Sequence, residues 1–273
     1  MHKVVSVIYL LLSAWSVNAL ELKGHLIQGG MVTGKLPDAK LVKLDDAKIK
    51  LSKQGEFVFG FGRDAKLNYL LTWVDKSGKS FNKSFLITKR DYKIDKITGV
   101  AKKYVSPPKS VLNRIKSEAK AVRKARSILS NRIDFLQPVY RPAKGRISGV
   151  YGSQRYFNGT PKRPHFGLDI ANKKGTQVYS PLPGKVVFAD PDLYYSGGTL
   201  IIDHGHGITS TYIHLSQVTA KLGQEIKTGD KIAKIGATGR VTGPHLDWRL
   251  NWKQVRLDPA LVMQSLSASK FSN

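Results

Sequence analysis

From His245 to Leu250 polar and apolar residues alternate without a break, His245, Asp247 and Arg249 against Leu246, Trp248 and Leu250. A side-chain period of two belongs to a β-strand with one polar and one apolar face. The apolar set requires a core on one side of that strand. The polar set puts an imidazole, a carboxylate and a guanidinium on the other. Any fold open to this chain must therefore contain a sheet whose solvent-side face carries chemistry.

Glycine-punctuated strands surround that segment. Gly145–Gly152, Gly184–Phe188, Gly198–Ile202, Thr209–His214 and Lys231–Ile235 all read as strands between tight turns. Residues 138–263 are therefore expected to form an antiparallel β-sheet domain with an open groove. Upstream, apolar segments such as Glu56–Phe61 and Asn68–Val74 alternate with turn residues, which predicts a small β-sandwich over residues 20–98. Between them, Ser106-Pro107-Pro108 breaks the chain, and Val111, Ile115, Val122, Leu129 and Ile133 approximate one face of a helix running to about residue 134. Ala101 to Arg132 holds ten Lys or Arg residues and one acid, Glu118, so residues 99–137 read as a basic helical linker. A basic helix lying on an anionic surface is the alternative reading. The fold class expected overall is mainly β.

At the N-terminus, His2 and Lys3 precede the apolar run Val4–Leu12 and the Val17-Asn18-Ala19 cleavage pattern, so residues 1–19 read as a signal peptide. Residues 264–273 are left as a tail. Cysteine is absent, which excludes disulfides; an oxidising compartment permits them without requiring them. The formal net charge of +26 would first suggest nucleic acid. For an exported chain the available polyanions are instead wall peptides with free carboxylates, acidic glycans and lipid headgroups, and no nucleic-acid partner is expected.

Metal-type residues recur in three segments. His165 and Asp169 are four apart, which on an extended chain brings both to one face. His245 and Asp247 share a face in the same way, and His214 adds a third segment. His204-Gly205-His206 also spells His-x-His, but the glycines around it mark a tight hairpin turn. Tyr151, Arg155 and Tyr156 are further candidates for a groove rim.

The segments His165–Ala171, Ile202–Gly207, Tyr212–Ser216, Gly229-Asp230 and Gly243–Leu246 together resemble the lysostaphin-type (LytM-like) zinc endopeptidases of bacterial cell walls, over about residues 142–260. That resemblance implies His165 and Asp169 as zinc ligands, with a third ligand two residues beyond His245. It also implies His214 and His245 as catalytic histidines that do not bind the metal. The implied activity is hydrolysis of peptide cross-links in peptidoglycan, in the periplasm of a Gram-negative envelope.

The third ligand position holds Asp247 where the family usually has histidine. A carboxylate oxygen has similar reach and zinc accepts it. A His/Asp/Asp set offsets both metal charges, which predicts a weaker Lewis acid and tolerance of other divalent ions. Arg249 stands where the family more often carries an acid. It either supports Asp247 as a ligand from behind or forms an ion pair that replaces the metal. In the second case the chain is a metal-free wall-binding or regulatory module that activates another hydrolase. On either reading, an anionic envelope surface and a regulatory protein are further candidate partners.

Overall fold

The computed structural model describes residues 20–97, 108–157 and 159–266. The expected signal peptide, the start of the expected linker and the last seven residues lie outside these.

The largest sheet has ten strands. Its main path runs Glu225–Ile226, Gly184–Leu193, Gly197–Gly205, Ile208–Val218, His245–Trp252, Leu168–Ala171 and Arg146–Gly149, each antiparallel to the next. The strand Lys231–Ile235 adds to Ile208–Val218, and Val255–Leu257 folds back on His245–Trp252. Leu246, Trp248 and Leu250 are all fully buried, as the alternation demands. Tyr212, Ile170 and Ile202 complete that side of the core.

Residues 20–97 form a three-stranded sheet (Glu21–Gly24, Met31–Lys35, Glu56–Gly60) and a four-stranded one (Ala47–Ile49, Ala39–Leu44, Asn68–Asp75, Ser80–Leu86). Phe59 of the first meets Phe85 of the second, with ring centroids 6.1 Å apart. Phe61 packs on Tyr69 at 4.8 Å. Aromatic burial of this kind supplies much of the stabilisation of so small a sandwich.

The N-terminal sheets and the ten-stranded sheet share one continuous apolar cluster, from Met31 to Val262. They touch closely at Gly60, where Leu257 occupies the space a side chain would need, and at Gly152, where the Tyr92 ring does the same. Arg90 reaches the buried carboxylate of Asp258 at 2.8 Å. Ile94–Ile97 runs parallel to Gln154–Phe157, adding a third tie between the two halves.

The basic helix is shorter than its periodicity suggests. It spans Leu112–Arg126, and Leu129 and Ile133, expected on its buried face, are 46% and 40% exposed. Two interactions end it. Ser127 Oγ donates to the Arg123 carbonyl at 2.9 Å, and Gln254 Nε2 reaches the same oxygen at 3.2 Å. The chain then turns so that Phe135 and Val139 can be fully buried. The cations Arg123, Lys124 and Arg126 crowd the last turn, where they favourably oppose the negative end of the helix dipole. Nor is this helix a free linker. Arg114 pairs with Glu118 and Asp192, and Glu118 accepts the Tyr194 backbone N–H at 3.0 Å, docking the helix on the Gly184–Leu193 hairpin. A second helix, Pro259–Leu266, closes the chain and enters the expected tail.

Candidate metal centre

Strands Leu168–Ala171 and His245–Trp252 pair so that Asp169 stands opposite Asp247 and Ala171 opposite His245. Like charges directly across a ladder are destabilising. His165 approaches from the extended segment before the first strand, held by backbone bonds in both directions. Its N–H donates to the Ser153 carbonyl and its carbonyl accepts the Gly152 N–H, each at 2.8 Å. One donor atom from each of His165, Asp169 and Asp247 lies within 4.8 Å of the others.

Two glycines make room for the carboxylates. A Cβ at Gly149 would overlap Asp169 Oδ2, and one at Gly167 would overlap Asp247 Oδ1. Sequence reasoning missed both, although Gly167 lies between His165 and Asp169.

Hydrogen bonding at the centre is incomplete in an informative way. His165 Nε2 and Asp169 Oδ1 are buried 3.2 Å apart, and beyond this contact neither atom has a hydrogen-bond partner. Buried polar atoms with so little satisfaction are rare and expensive. They fit a divalent cation, with the His, Asp and Asp donors that zinc accepts. Asp247 is only partly satisfied by protein. Arg249 Nε donates to its Oδ1 at 2.9 Å and Arg249 Nη2 to its Oδ2, a fork that still leaves carboxylate lone pairs free. Burial disfavours charge on Asp247, but the Arg249 guanidinium outweighs it and holds the carboxyl at about 2. At His165 burial likewise opposes the charged ring, and the neighbouring Asp169 and Asp247 raise its pKa in spite of it.

The two remaining histidines sit together, with ring centroids 4.9 Å apart. His214 lies inside the strand Ile208–Val218, at a break in the ladder. Its φ of +65° is a strained conformation for a residue with a side chain, of the sort that clusters at functional sites. Its Nδ1 bonds the Thr238 carbonyl at 2.9 Å, and His245 Nδ1 bonds the Gly243 carbonyl at 2.9 Å. A carbonyl can only accept, so in each neutral ring Nδ1 carries the hydrogen and Nε2 offers a lone pair. His245 Nε2 is 3.9 Å from Asp169 Oδ1. Burial lowers the pKa of His214, so it stays neutral near pH 7.

The other sequence candidates fall outside the centre. His204 is a core residue, its ring nitrogens meeting the Pro183 carbonyl and Ser210 Oγ, and His206 occupies the hairpin turn at φ +50°. Tyr151 is no rim residue. It is buried against Tyr92 and Phe166, with its hydroxyl donating to the Arg256 carbonyl. Tyr156 is half-buried in the strand Gln154–Phe157, and the side chain of Arg155 lies outside the described residues.

Comparison with known proteins agrees with this geometry. Residues 163–259 match Peptidase family M23. Over 109 residues the chain is 39% identical to peptidoglycan DD-endopeptidase ShyA of Vibrio cholerae, covering 40% of this chain and 25% of that one. Over 118 residues it is 30% identical to the murein hydrolase activator NlpD of Escherichia coli, covering 43% and 29%. The chain thus spans about a quarter of the length of the curated relatives it matches. A crystallised M23-type protein of Pseudomonas aeruginosa shares the fold, with a TM-score of 0.66 over 88% of this chain and 95% of that one at 24% identity. The matched span contains every residue of the centre, from His165 to Arg249, and the chain therefore carries a peptidase M23 domain.

Proposed function

We propose that this chain is an exported, metal-dependent endopeptidase that hydrolyses peptide cross-links of peptidoglycan. The observation that carries the reading is the buried pair His165 Nε2 and Asp169 Oδ1, which have no hydrogen-bond partner beyond each other and are gathered with the Asp247 carboxylate into one donor set. With zinc bound there, the site gains a Lewis acid toward the scissile carbonyl and a water of lowered pKa.

The chain's own residues do the rest. His245, with Nδ1 bonded to the Gly243 carbonyl and Nε2 lying 3.9 Å from Asp169 Oδ1, takes the proton released as water adds to the carbonyl carbon. The same proton passes to the amine nitrogen as the C–N bond breaks, so acid and base roles fall to one ring. His214 Nδ1 is committed to Thr238, so its Nε2 can donate only when the ring is protonated. It therefore acts as a second acceptor that orients water or relays a proton to His245. Asp169 and Asp247 neutralise the ion, and Arg249 orients Asp247 from behind. The DD-endopeptidases among the relatives make a D,D cross-link the substrate we favour.

One observation favours a second reading. The Arg249 fork already engages both oxygens of Asp247, and one relative is a hydrolase activator. A metal-free regulatory module would look like this. Metal analysis after zinc loading, together with digestion of cross-linked muropeptides, separates the two. One equivalent of zinc with cleavage supports the peptidase, with Asp247→Ala inactive and Asp247→His partly active. Absence of stoichiometric metal would sink it.

A further inference from the structure

Beside the donor set, guanidinium groups converge from four places in the sequence. Arg249 follows Asp247 on its strand, Arg163 precedes His165 by two residues, Arg256 lies on the returning strand Val255–Leu257, and Arg126 comes from the last turn of the basic helix. Arg126, Arg249 and Arg256 are half-buried, and Arg163 is exposed at the edge. The helix end is fixed there, because Gln254, in the turn joining His245–Trp252 to Val255–Leu257, holds the Arg123 carbonyl and Ser127 Oγ.

These charges are close enough to repel. Arg126 feels Arg163 and Arg249, and Arg256 feels all three others. Burial and that repulsion pull both Arg126 and Arg256 below the ordinary guanidinium range. Their hydrogen bonding does not compensate. Arg126 Nε is buried with no partner, and Arg256 Nη1 has only the neutral Asn251 Oδ1, at 3.0 Å. The carboxylates that act on the group are Asp247 and Asp169, both members of the donor set, and Asp247 is already held by Arg249. A cleft of about 490 Å³ between the N-terminal sheets and the large sheet is lined by Arg256 and Phe166 together with Arg63, Asp45 and Asp64. Arg163, stacked 5.6 Å over Phe166, is exposed and opens the edge of the cluster to solvent.

We infer that Arg126, Arg163 and Arg256, with Arg249 behind them, form a carboxylate-binding subsite that seats a free acid group of the peptide substrate beside the scissile bond. This rests on the peptidase reading. The chemistry selects the ligand. Guanidinium forks match planar carboxylates in bidentate pairs, and a half-buried cluster admits one small anionic group better than an extended polyanion. Arg126 would then make the basic helix part of the substrate site, which explains why so charged a segment is docked instead of left in solvent.

The test compares a cross-linked muropeptide dimer with the same dimer carrying amidated carboxylates, using the full chain. Binding is measured by calorimetry on metal-free protein, and cleavage on zinc-loaded protein. Since a charge-assisted bond contributes more than a neutral one, the free acid should bind at least about tenfold more tightly. Arg126→Met and Arg256→Met should each remove most of that preference, and Arg126→Lys should keep part of it. Without ligand, both Met variants should melt no lower than wild type, because each relieves repulsion; a purely structural arginine would lower the melting temperature. Equal binding of acid and amide by wild type, or a preference untouched in both Met variants, overturns the inference. Cleavage that ignores amidation leaves the peptidase reading standing and removes the subsite. Acid-selective binding without cleavage of either dimer does the reverse.

Discussion

Asp169 and Asp247 face each other across an antiparallel ladder, in register, with Arg249 gripping the second and His165 beside the first. Two carboxylates so placed repel, and the sheet is stable only where cations balance them. Arg249 supplies one positive charge. His165 Nε2 lies 3.2 Å from Asp169 Oδ1, and neither atom has a hydrogen-bond partner beyond the other.

That balance can be tested through Arg249. Arg249→Met leaves Asp247 buried without its partner, and stability without metal should fall by about 3 kcal/mol, the usual cost of breaking a buried pair. If a metal shares Asp247, saturating zinc should raise the melting temperature of the variant more than that of wild type. Calorimetric melts with and without zinc decide it; equal increments would show that zinc does not engage Asp247.

The glycines opposite the carboxylates give a second prediction. Gly167→Ala drives a methyl group against Asp247 Oδ1 and the Trp248 carbonyl, and Gly149→Ala does the same to Asp169. Each should weaken zinc binding by about tenfold or more, as displacing a ligand's support does. Competition titration against a chromogenic chelator measures this. Unchanged affinity in both variants would place the metal elsewhere.

A pH effect should come from the hairpin turn. Burial pushes His206 down to about 4, against about 6.5 when unfolded. The unfolded chain therefore binds the proton first as pH falls. Stability should be independent of this residue above pH 6.5, decline between 6.5 and about 4, and level off below. His206→Asn suits the left-handed backbone and removes the titration, so it should flatten that window by about 1 kcal/mol. Urea melts at pH 7 and pH 4.5 show whether the slope changes.

The contact between halves predicts a further effect. Arg90→Met strips the buried Asp258 carboxylate of its partner and should cost about 3 kcal/mol. The same variant should speed proteolysis between residues 88 and 108 if the Arg90–Asp258 pair clamps the two halves. Identical digestion kinetics would show that the apolar cluster alone holds them together.

Local pattern carried a good deal of this. The alternation from His245 to Leu250 is a one-dimensional signal for strand, face and core, and all three appear as read. Spacing put His165 with Asp169, and His245 with Asp247, on shared faces, while the family resemblance grouped His165, Asp169 and Asp247 as one ligand set. The helix end was misread because Leu129 and Ile133 continue its period, whereas Gln254, far along the chain, caps it. Tyr151 was misjudged for a similar reason, since its burial depends on Tyr92 and Phe166.

By itself, then, the sequence determined which side chains share a strand face and which chemistry they bring, since periodicity is a property of neighbours in the chain. Only the tertiary structure decided that Asp169 sits opposite Asp247, that Gly149 and Gly167 clear their space, and that Arg126 and Arg256 meet beside them. Strand register and helix docking depend on contacts between residues up to about a hundred and thirty positions apart, and no local period encodes those.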